Sequence, residues 1–258
     1  MEKLSERIAR WIRGRVIRSG SGGVVLGLSG GIDSAVAAVL AKKAMGEEVL
    51  ALLLPCHSLP EDEADALYLA DLFHLRRERV DLAPVCDAFL KQLPPAGIAC
   101  RANLKPRLRM AALYYFANKL NYLVMGTGNK SERLMGYFTK FGDGGADLLP
   151  LGDLTKARVR KLAKELQIPD RIIRRPPSAG LWKGQTDEED MAIRYRDLDR
   201  IIESLEDSRE PRISRGKVEY VKGKMAKSRH KRSLPPIFRL KLKRSLNSRD
   251  QKRKPIKG

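Results

Sequence analysis

The sequence predicts a doubly wound α/β fold: a parallel sheet with helices packed on both faces. Three observations predict it. Short apolar runs at residues 24–28, 48–54 and 123–126 read as strands buried on both faces, with a fourth short strand at 79–82. Stretches with apolar residues at helical spacing alternate with them, which implies right-handed βαβ units. The first strand runs through a pair of glycines straight into a helix, the joint at which such sheets hold anions.

Each element follows from its pattern. Residues 3–19 form an amphipathic helix with Leu4, Ile8, Trp11, Ile12 and Arg15 on one stripe, ended by Gly20-Ser21-Gly22-Gly23. Val24 to Leu28 is the first strand. Residues 34–44, rich in Ala, Val and Leu, are a helix, and 48–54 a second strand closed by Pro55. Residues 62–73 are helical, 79–82 a strand, and 87–92 a short helix before Pro94-Pro95. A long helix spans 103–120 and leads into the strand at 123–126; further helices are expected at 155–166 and 187–205. The strand exits at 28/29, 54/55 and 126/127 are the expected ligand positions. A single domain over 1–246 is expected, followed by a basic, disordered tail at 247–258.

Composition narrows the function. No apolar run approaches the roughly 20 residues that span a bilayer, and Met1 to Arg7 lack the apolar core of a signal peptide, so a soluble cytoplasmic protein is expected. Cys56, Cys86 and Cys100 show no C-x-x-C spacing, which argues against a zinc knuckle or redox dithiol. The net charge of +20 is uneven: residues 208–258 hold 19 Lys or Arg against 3 Asp or Glu. Such a region suits nucleic acid, an anionic small substrate, or a merely solvated surface.

The loop Ser29-Gly30-Gly31-Ile32-Asp33-Ser34 carries the first chemical signal. Two glycines let the backbone approach an anion, and the following helix directs free N–H groups at it. Ser29 and Ser34 offer hydroxyls. Asp33 would repel phosphate unless it meets a cation, which implies Mg²⁺. No G-K-[ST] follows, so this is not a Walker loop; the plain alternative is a glycine turn capped by Asp or Ser. The pattern resembles the pyrophosphatase loop of the N-type ATP pyrophosphatases, which grips the β- and γ-phosphates while the substrate attacks the α-phosphorus. The loop alone does not choose among their members: GMP, argininosuccinate, asparagine and NAD synthetases and tRNA-thiolating enzymes.

The middle of the chain is more specific. Asn103-Leu104-Lys105-Pro106-Arg107-Leu108-Arg109 opens a helix, and Gly126-Thr127-Gly128-Asn129-Lys130-Ser131-Glu132 follows a strand. Then come Phe138-Thr139-Lys140-Phe141-Gly142-Asp143-Gly144-Gly145-Ala146-Asp147, Leu154-Thr155-Lys156, Pro177-Ser178 and His230-Lys231-Arg232. Over residues 5–240 the chain resembles the ammonia-dependent NAD synthetases. The resemblance implies an adenine nucleotide alpha hydrolase-like sheet, a homodimer, and amidation of deamido-NAD by ATP, Mg²⁺ and ammonia through an adenylate. It implies that Gly27, Leu28, Ser29, Gly30, Gly31, Ile32, Asp33, Ser34, Thr127, Lys156 and Ser178 contact ATP, and that Asp33 and Glu132 hold Mg²⁺. It implies further that Arg107, Lys140, Asp147, His230 and Lys231 contact deamido-NAD. Lys156 is then catalytic, and Asp143 is the candidate to bind and deprotonate ammonium, with Asp147 or solvent as competitors. Ser178 stands where many members have Thr, and Pro106 where Ala is common. The alternative is a tRNA-modifying ATP pyrophosphatase, favoured by the basic region and opposed by the missing C-x-x-C pair.

Overall fold

The computed structural model describes residues 2–240 apart from Lys183; the tail expected at 247–258 lies outside the described residues. Helix α1 (Leu4–Ser19) leads into β1 (Gly23–Gly27), α2 (Ile32–Met45), β2 (Val49–Leu53), α3 (Pro60–Leu72) and β3 (Arg76–Arg79). Two short helices, α4 (Ala83–Lys91) and α5 (Ile98–Ala102), precede the long α6 (Leu104–Leu120) and β4 (Tyr122–Val124). The remainder is helical: α7 (Lys130–Met135), α8 (Lys156–Glu165), α9 (Asp170–Arg174), α10 (Asp187–Met191), α11 (Tyr195–Glu206) and α12 (Arg215–Lys227).

The four strands pair in parallel in the order β3-β2-β1-β4. The continuous apolar runs have a direct explanation in this sheet. Val24, Leu26, Val49, Ala51 and Leu53 face one core, built with α1, α2 and α8. Val25, Leu50, Leu52 and Val124 face the other, built with α4 and α6. Successive side chains of one strand therefore enter opposite cores, and no position is left for a polar residue. A third, smaller core joins α7, α10, α11 and α12 through Met135, Met191, Tyr195, Ile201 and Val221. Chain order reverses between β1 and β4, so the carboxyl ends of these two strands form the switch point.

Three expectations shift. The strand expected at 79–82 lies at Arg76–Arg79, paired with β2 from Leu50↔Arg76 to Leu53↔Arg79. It is the exposed edge of the sheet and is made wholly of charged residues, a known guard against edge pairing. Val80 and Leu82 continue the hydrogen bonding to Leu53 O and Pro55 O, and Leu82 is buried in the core beneath β2. The helix expected at 87–92 starts earlier, at Ala83, where Asp81 Oδ1 accepts the Ala83 N–H at 2.9 Å. The helix expected over 187–205 is broken at Ala192, which takes a left-handed φ of 53°.

All three cysteines are free; Cys56 and Cys86 are buried and Cys100 is exposed. Burial, and then the neighbouring Cys86 thiol, push the Cys56 pKa up to about 11. Only a thiolate attacks a disulfide reagent, and raising the pH toward 11 is needed to populate it at Cys56. Titration of the native protein with an aromatic disulfide near neutral pH is therefore expected to find one fast thiol, and all three in denaturant. A second fast native thiol would contradict the packing of Cys56 and Cys86 described here.

Candidate functional site

A cleft of about 780 Å³ opens at the switch point, and the three strand exits at Leu28/Ser29, Leu54/Pro55 and Gly126/Thr127 all line it. The loop after β1 forms its floor. Gly30 has φ +80°, and a Cβ there would stand 2.4 Å from the Asp62 carbonyl oxygen of α3, so both conformation and space demand glycine. Ser34, in the first turn of α2, accepts the Ser29 N–H at 3.2 Å and donates to the Gly31 carbonyl at 2.9 Å. The Ser29 hydroxyl in turn accepts the Gly31 N–H at 3.3 Å. The hydroxyls thus hold the loop in shape at the positive end of α2. Arg175, just after α9, braces the α3 side by pairing with Asp62 and, at 3.0 Å, with Asp65.

Beside the loop lies a charge cluster. The Lys156 ammonium, 1% exposed, stands 2.6 Å from Asp33 Oδ2 and 3.2 Å from Glu132 Oε1. Burial would lower the Lys156 pKa, but Asp33 and Glu132 overcome it and raise it. Glu132 is pushed up to about 7, chiefly by desolvation, with Asp33 and Asp187 adding to the rise and Lys156 opposing it. Glu132 has a local cause for its place. Asn129 caps α7, its side chain accepting the Glu132 N–H at 3.0 Å, while Glu132 Oε2 accepts the Asn129 N–H at 3.2 Å. Asn129 Nδ2 also donates to Asp33 Oδ1 at 2.9 Å, which joins the two strand exits.

A third carboxylate completes this wall. Asp187 Oδ2 accepts the Tyr195 hydroxyl at 2.8 Å, and the same hydroxyl lies 3.2 Å from Glu132 Oε1. Asp187 Oδ1 and Thr155 Oγ1 are buried without a hydrogen-bond partner among the described residues. Three acids around one ammonium leave excess negative charge, all of it on hard oxygen donors, and an orphaned carboxylate oxygen beside them. Oxygen donors of this kind suit a divalent cation such as Mg²⁺, yet among the described residues no three Asp, Glu, His or Cys side chains are grouped to hold one.

The other wall comes from α6 and the turn after Phe138. Asp143 Oδ1 accepts the Thr139 N–H at 2.8 Å. Its carboxylate is reached by solvent from the cleft, yet surrounding protein still raises its pKa by desolvation, against that hydrogen bond and the charges of Lys231 and Arg109. Arg109 reaches across to the loop after β2, where its Nε donates to Leu54 O at 3.0 Å and its Nη2 to Ser58 Oγ at 3.2 Å. Lys231 spends its ammonium on the carbonyls of Gly136 and Phe138, both at 2.8 Å.

The cleft brings together Gly27, Leu28, Ser29, Gly31, Ile32, Asp33, Ser34, Thr127, Glu132, Asp143, Lys156, Ser178 and Lys231. Gly30 lies behind the loop, against α3. Arg107, Lys140 and His230 form a rim: Arg107 donates to Lys140 O at 3.4 Å, and Lys140 to His230 O at 2.8 Å. Asp147 is exposed and does not line the cleft; it accepts the Val124 N–H at 2.8 Å and the Tyr114 hydroxyl at 3.0 Å. Sequence reasoning missed Asn129, Asp187, Tyr195 and the role of Arg109. Asn129 had a readable signal, an Asn three residues before Glu132; Asp187 opens a helix behind the capping Thr186, in a stretch that shares the resemblance but was given no role; Tyr195 had no signal.

The chain is similar to known proteins over most of its length. The NAD synthase family model matches residues 4–235. An NH(3)-dependent NAD(+) synthetase of Carboxydothermus hydrogenoformans is 45% identical, over 92% of this chain and 97% of the relative. Among solved structures, an NMN synthetase from Francisella tularensis has a TM-score of 0.85 at 38% identity, covering 92% of this chain and 98% of its own. An NH3-dependent NAD synthetase from Campylobacter jejuni has a TM-score of 0.81 at 34% identity, covering 93% and 100%.

The loop geometry sets one test. Gly30→Ala forces a left-handed Cβ against the Asp62 carbonyl, and is expected to cost about 2 kcal/mol or more. Urea denaturation measures this; an unchanged midpoint would mean that the loop does not need this conformation.

Proposed function

The chain belongs to the NAD synthase family and is an ATP-dependent, ammonia-dependent NAD synthetase, and we propose that one wall of its cleft drives adenylation and the other amidation. The observation that carries this division is the buried Lys156 ammonium between Asp33 and Glu132, set beside a glycine loop at a helix N-terminus. The tRNA-modifying alternative is not favoured, because the family and the relatives above are NAD synthases.

Adenylation converts the nicotinate carboxylate of deamido-NAD, a poor electrophile, into a mixed anhydride with AMP as leaving group. The β- and γ-phosphates belong in the loop 29–34, at the N-terminus of α2, in the shape that the Ser29 and Ser34 hydroxyls hold. Thr127 and Ser178, both on the cleft, complete the ATP contacts. Asp33 and Glu132 are the residues that would hold Mg²⁺, whose charge would offset that developing on the departing pyrophosphate. Lys156 is fixed in place before substrate arrives, so its charge serves the α-phosphorus without reorganisation. Asp143 serves the second half. Ammonium is attracted to its carboxylate, and a raised pKa makes that carboxylate the better proton acceptor. The ammonia lone pair then attacks the acyl carbon, the adduct loses its extra proton to solvent, and the acyl C–O bond to AMP breaks to leave the amide.

Arg107, Lys140 and His230 at the rim, with Lys231, offer the positive surface for deamido-NAD. Asp147 acts through the fold, by holding the β4 backbone beside the cleft. A homodimer is part of this reading, supported by the exposed apolar side chains of Val85, Phe89, Ile98 and Tyr115 on α4, α5 and α6. A cytoplasmic location is supported by the three free thiols; no helix of the described residues is long and apolar enough to cross a membrane.

Pure protein given ATP, Mg²⁺, deamido-NAD and ammonium is expected to release NAD, AMP and pyrophosphate in equal amounts. Nicotinate mononucleotide, included because one neighbour is an NMN synthetase, is expected to be the poorer acceptor. ADP in place of AMP would sink the mechanism. Asp33→Asn keeps the Asn129 contact and leaves Lys156 paired with Glu132, so turnover is expected to fall about 100-fold or more with a raised Mg²⁺ requirement and little change in melting temperature. A variant that unfolds, or one that keeps its Mg²⁺ dependence, would make Asp33 a structural cap.

A further inference from the structure

Arg109 lies in the second turn of α6, on the opposite face of the sheet from α2. Its two hydrogen-bond acceptors, Leu54 O and Ser58 Oγ, are both neutral. Among the described residues no carboxylate pairs with it; Asp143 and Asp62 act on it only through space. Burial pushes its pKa down, but a guanidinium stays protonated at any physiological pH. A guanidinium has five N–H donors, and the contacts to Leu54 and Ser58 leave three without a protein acceptor. The residue lines the cleft. A charge partly enclosed by protein and left without a counterion is costly, and its position accounts for that cost if the counterion arrives with the substrate.

We propose that Arg109 binds an oxyanion of the acceptor dinucleotide, a phosphate or the nicotinate carboxylate, through the free edge of its guanidinium. This rests on the NAD synthetase reading. The ATP phosphates have their own site at the N-terminus of α2, whereas Arg109 shares its wall with Asp143, where amidation takes place. Lys231 faces the same space, but its ammonium is already committed to two carbonyls. Arg109 is therefore the better placed cation on this wall.

The test uses full-length Arg109→Gln and Arg109→Lys and calorimetric titration with deamido-NAD and with NAD, which keeps the diphosphate but carries an amide in place of the carboxylate. Arg109→Gln is expected to weaken deamido-NAD about tenfold or more, with the KM for ATP within about twofold. Arg109→Lys, which keeps the charge and loses the planar fork, is expected to recover part of the loss and serves if the Gln variant folds poorly. A parallel loss for NAD assigns the oxyanion to a phosphate; unchanged NAD binding assigns it to the carboxylate. Ser58→Ala removes one tether and keeps the charge, so it is expected to bind normally. An equal loss in Ser58→Ala would mean that Arg109 only holds the loop after β2, and would overturn the proposal. Unchanged deamido-NAD affinity in Arg109→Gln, or an effect confined to ATP, would overturn it too. If the unaltered enzyme binds no deamido-NAD, the activity itself is wrong and the proposal falls with it.

Discussion

The arrangement of this molecule depends on one buried ammonium. Lys156 belongs to α8, Asp33 to α2 and Glu132 to α7, so its two ion pairs tie three helix N-termini to one point at the carboxyl edge of the sheet. Removing one acid leaves the ammonium its other partner, whereas removing Lys156 leaves Asp33 and Glu132 uncompensated against each other, the kind of loss that typically costs about 3–5 kcal/mol. The cost of placing it is spread over a second, deeper set. Asp199 of α11 accepts the Ser131 hydroxyl at 2.5 Å and the Ala157 N–H at 2.8 Å, while Ser131 Oγ accepts the Lys156 N–H at 3.1 Å. The N-termini of α7 and α8 are thus pinned by a carboxylate that never reaches the cleft. A helix N-terminus is where a carboxylate is most readily held, and the fold uses that twice.

The two walls of the cleft differ in electrostatic character, and the difference matches the two half-reactions. The wall of Asp33, Glu132 and Asp187 is short of positive charge and long on oxygen donors. It suits a cation-bound triphosphate. The opposite wall has Arg109 and Lys231 around a single carboxylate, Asp143, whose pKa is raised. It suits an anionic acceptor and a cationic nitrogen donor that must lose a proton. The sheet keeps the two apart because β1 and β4 deliver their loops to one edge, while α2 and α6 cover opposite faces.

The parts legible in the sequence were those governed by local rules. The runs Val24 to Leu28 and Val49 to Leu54 announced buried strands because both faces of the sheet are covered. The pair Gly30-Gly31 announced an anion loop because only glycine fits at φ +80° against Asp62. Asp33, Glu132 and Lys156 were legible through family resemblance, and the structure brings them within one cluster. β3 was misplaced by three residues because an edge strand made of Arg76, Arg77, Glu78 and Arg79 has no apolar pattern to read, while Val80 and Leu82 just beyond it do. Arg109 reads as a solvated helix charge on its own; only the return of the loop at Leu54 to Ser58 over α6 encloses it, and that is a tertiary fact.

The break between α10 and α11 shows why the rest was not legible. Residues 187–205 have helical spacing throughout, and nothing at Ala192 signals a stop, since alanine is the best helix former and its left-handed φ of 53° costs roughly 1–2 kcal/mol. In an unbroken helix, Asp187 and Tyr195 would be about 12 Å apart along the axis. The break folds them together: Tyr195 N–H reaches Glu188 Oε1 at 2.8 Å, and its hydroxyl reaches Asp187 Oδ2 at 2.8 Å. From there Tyr195 also meets Glu132 and lies under the Lys156 ammonium, 4.9 Å from its ring centre. The left-handed turn at Ala192 is what lets one tyrosine contact three members of the charge cluster. Local propensity loses here to contacts with Asp187 of α10, Glu132 of α7 and Lys156 of α8.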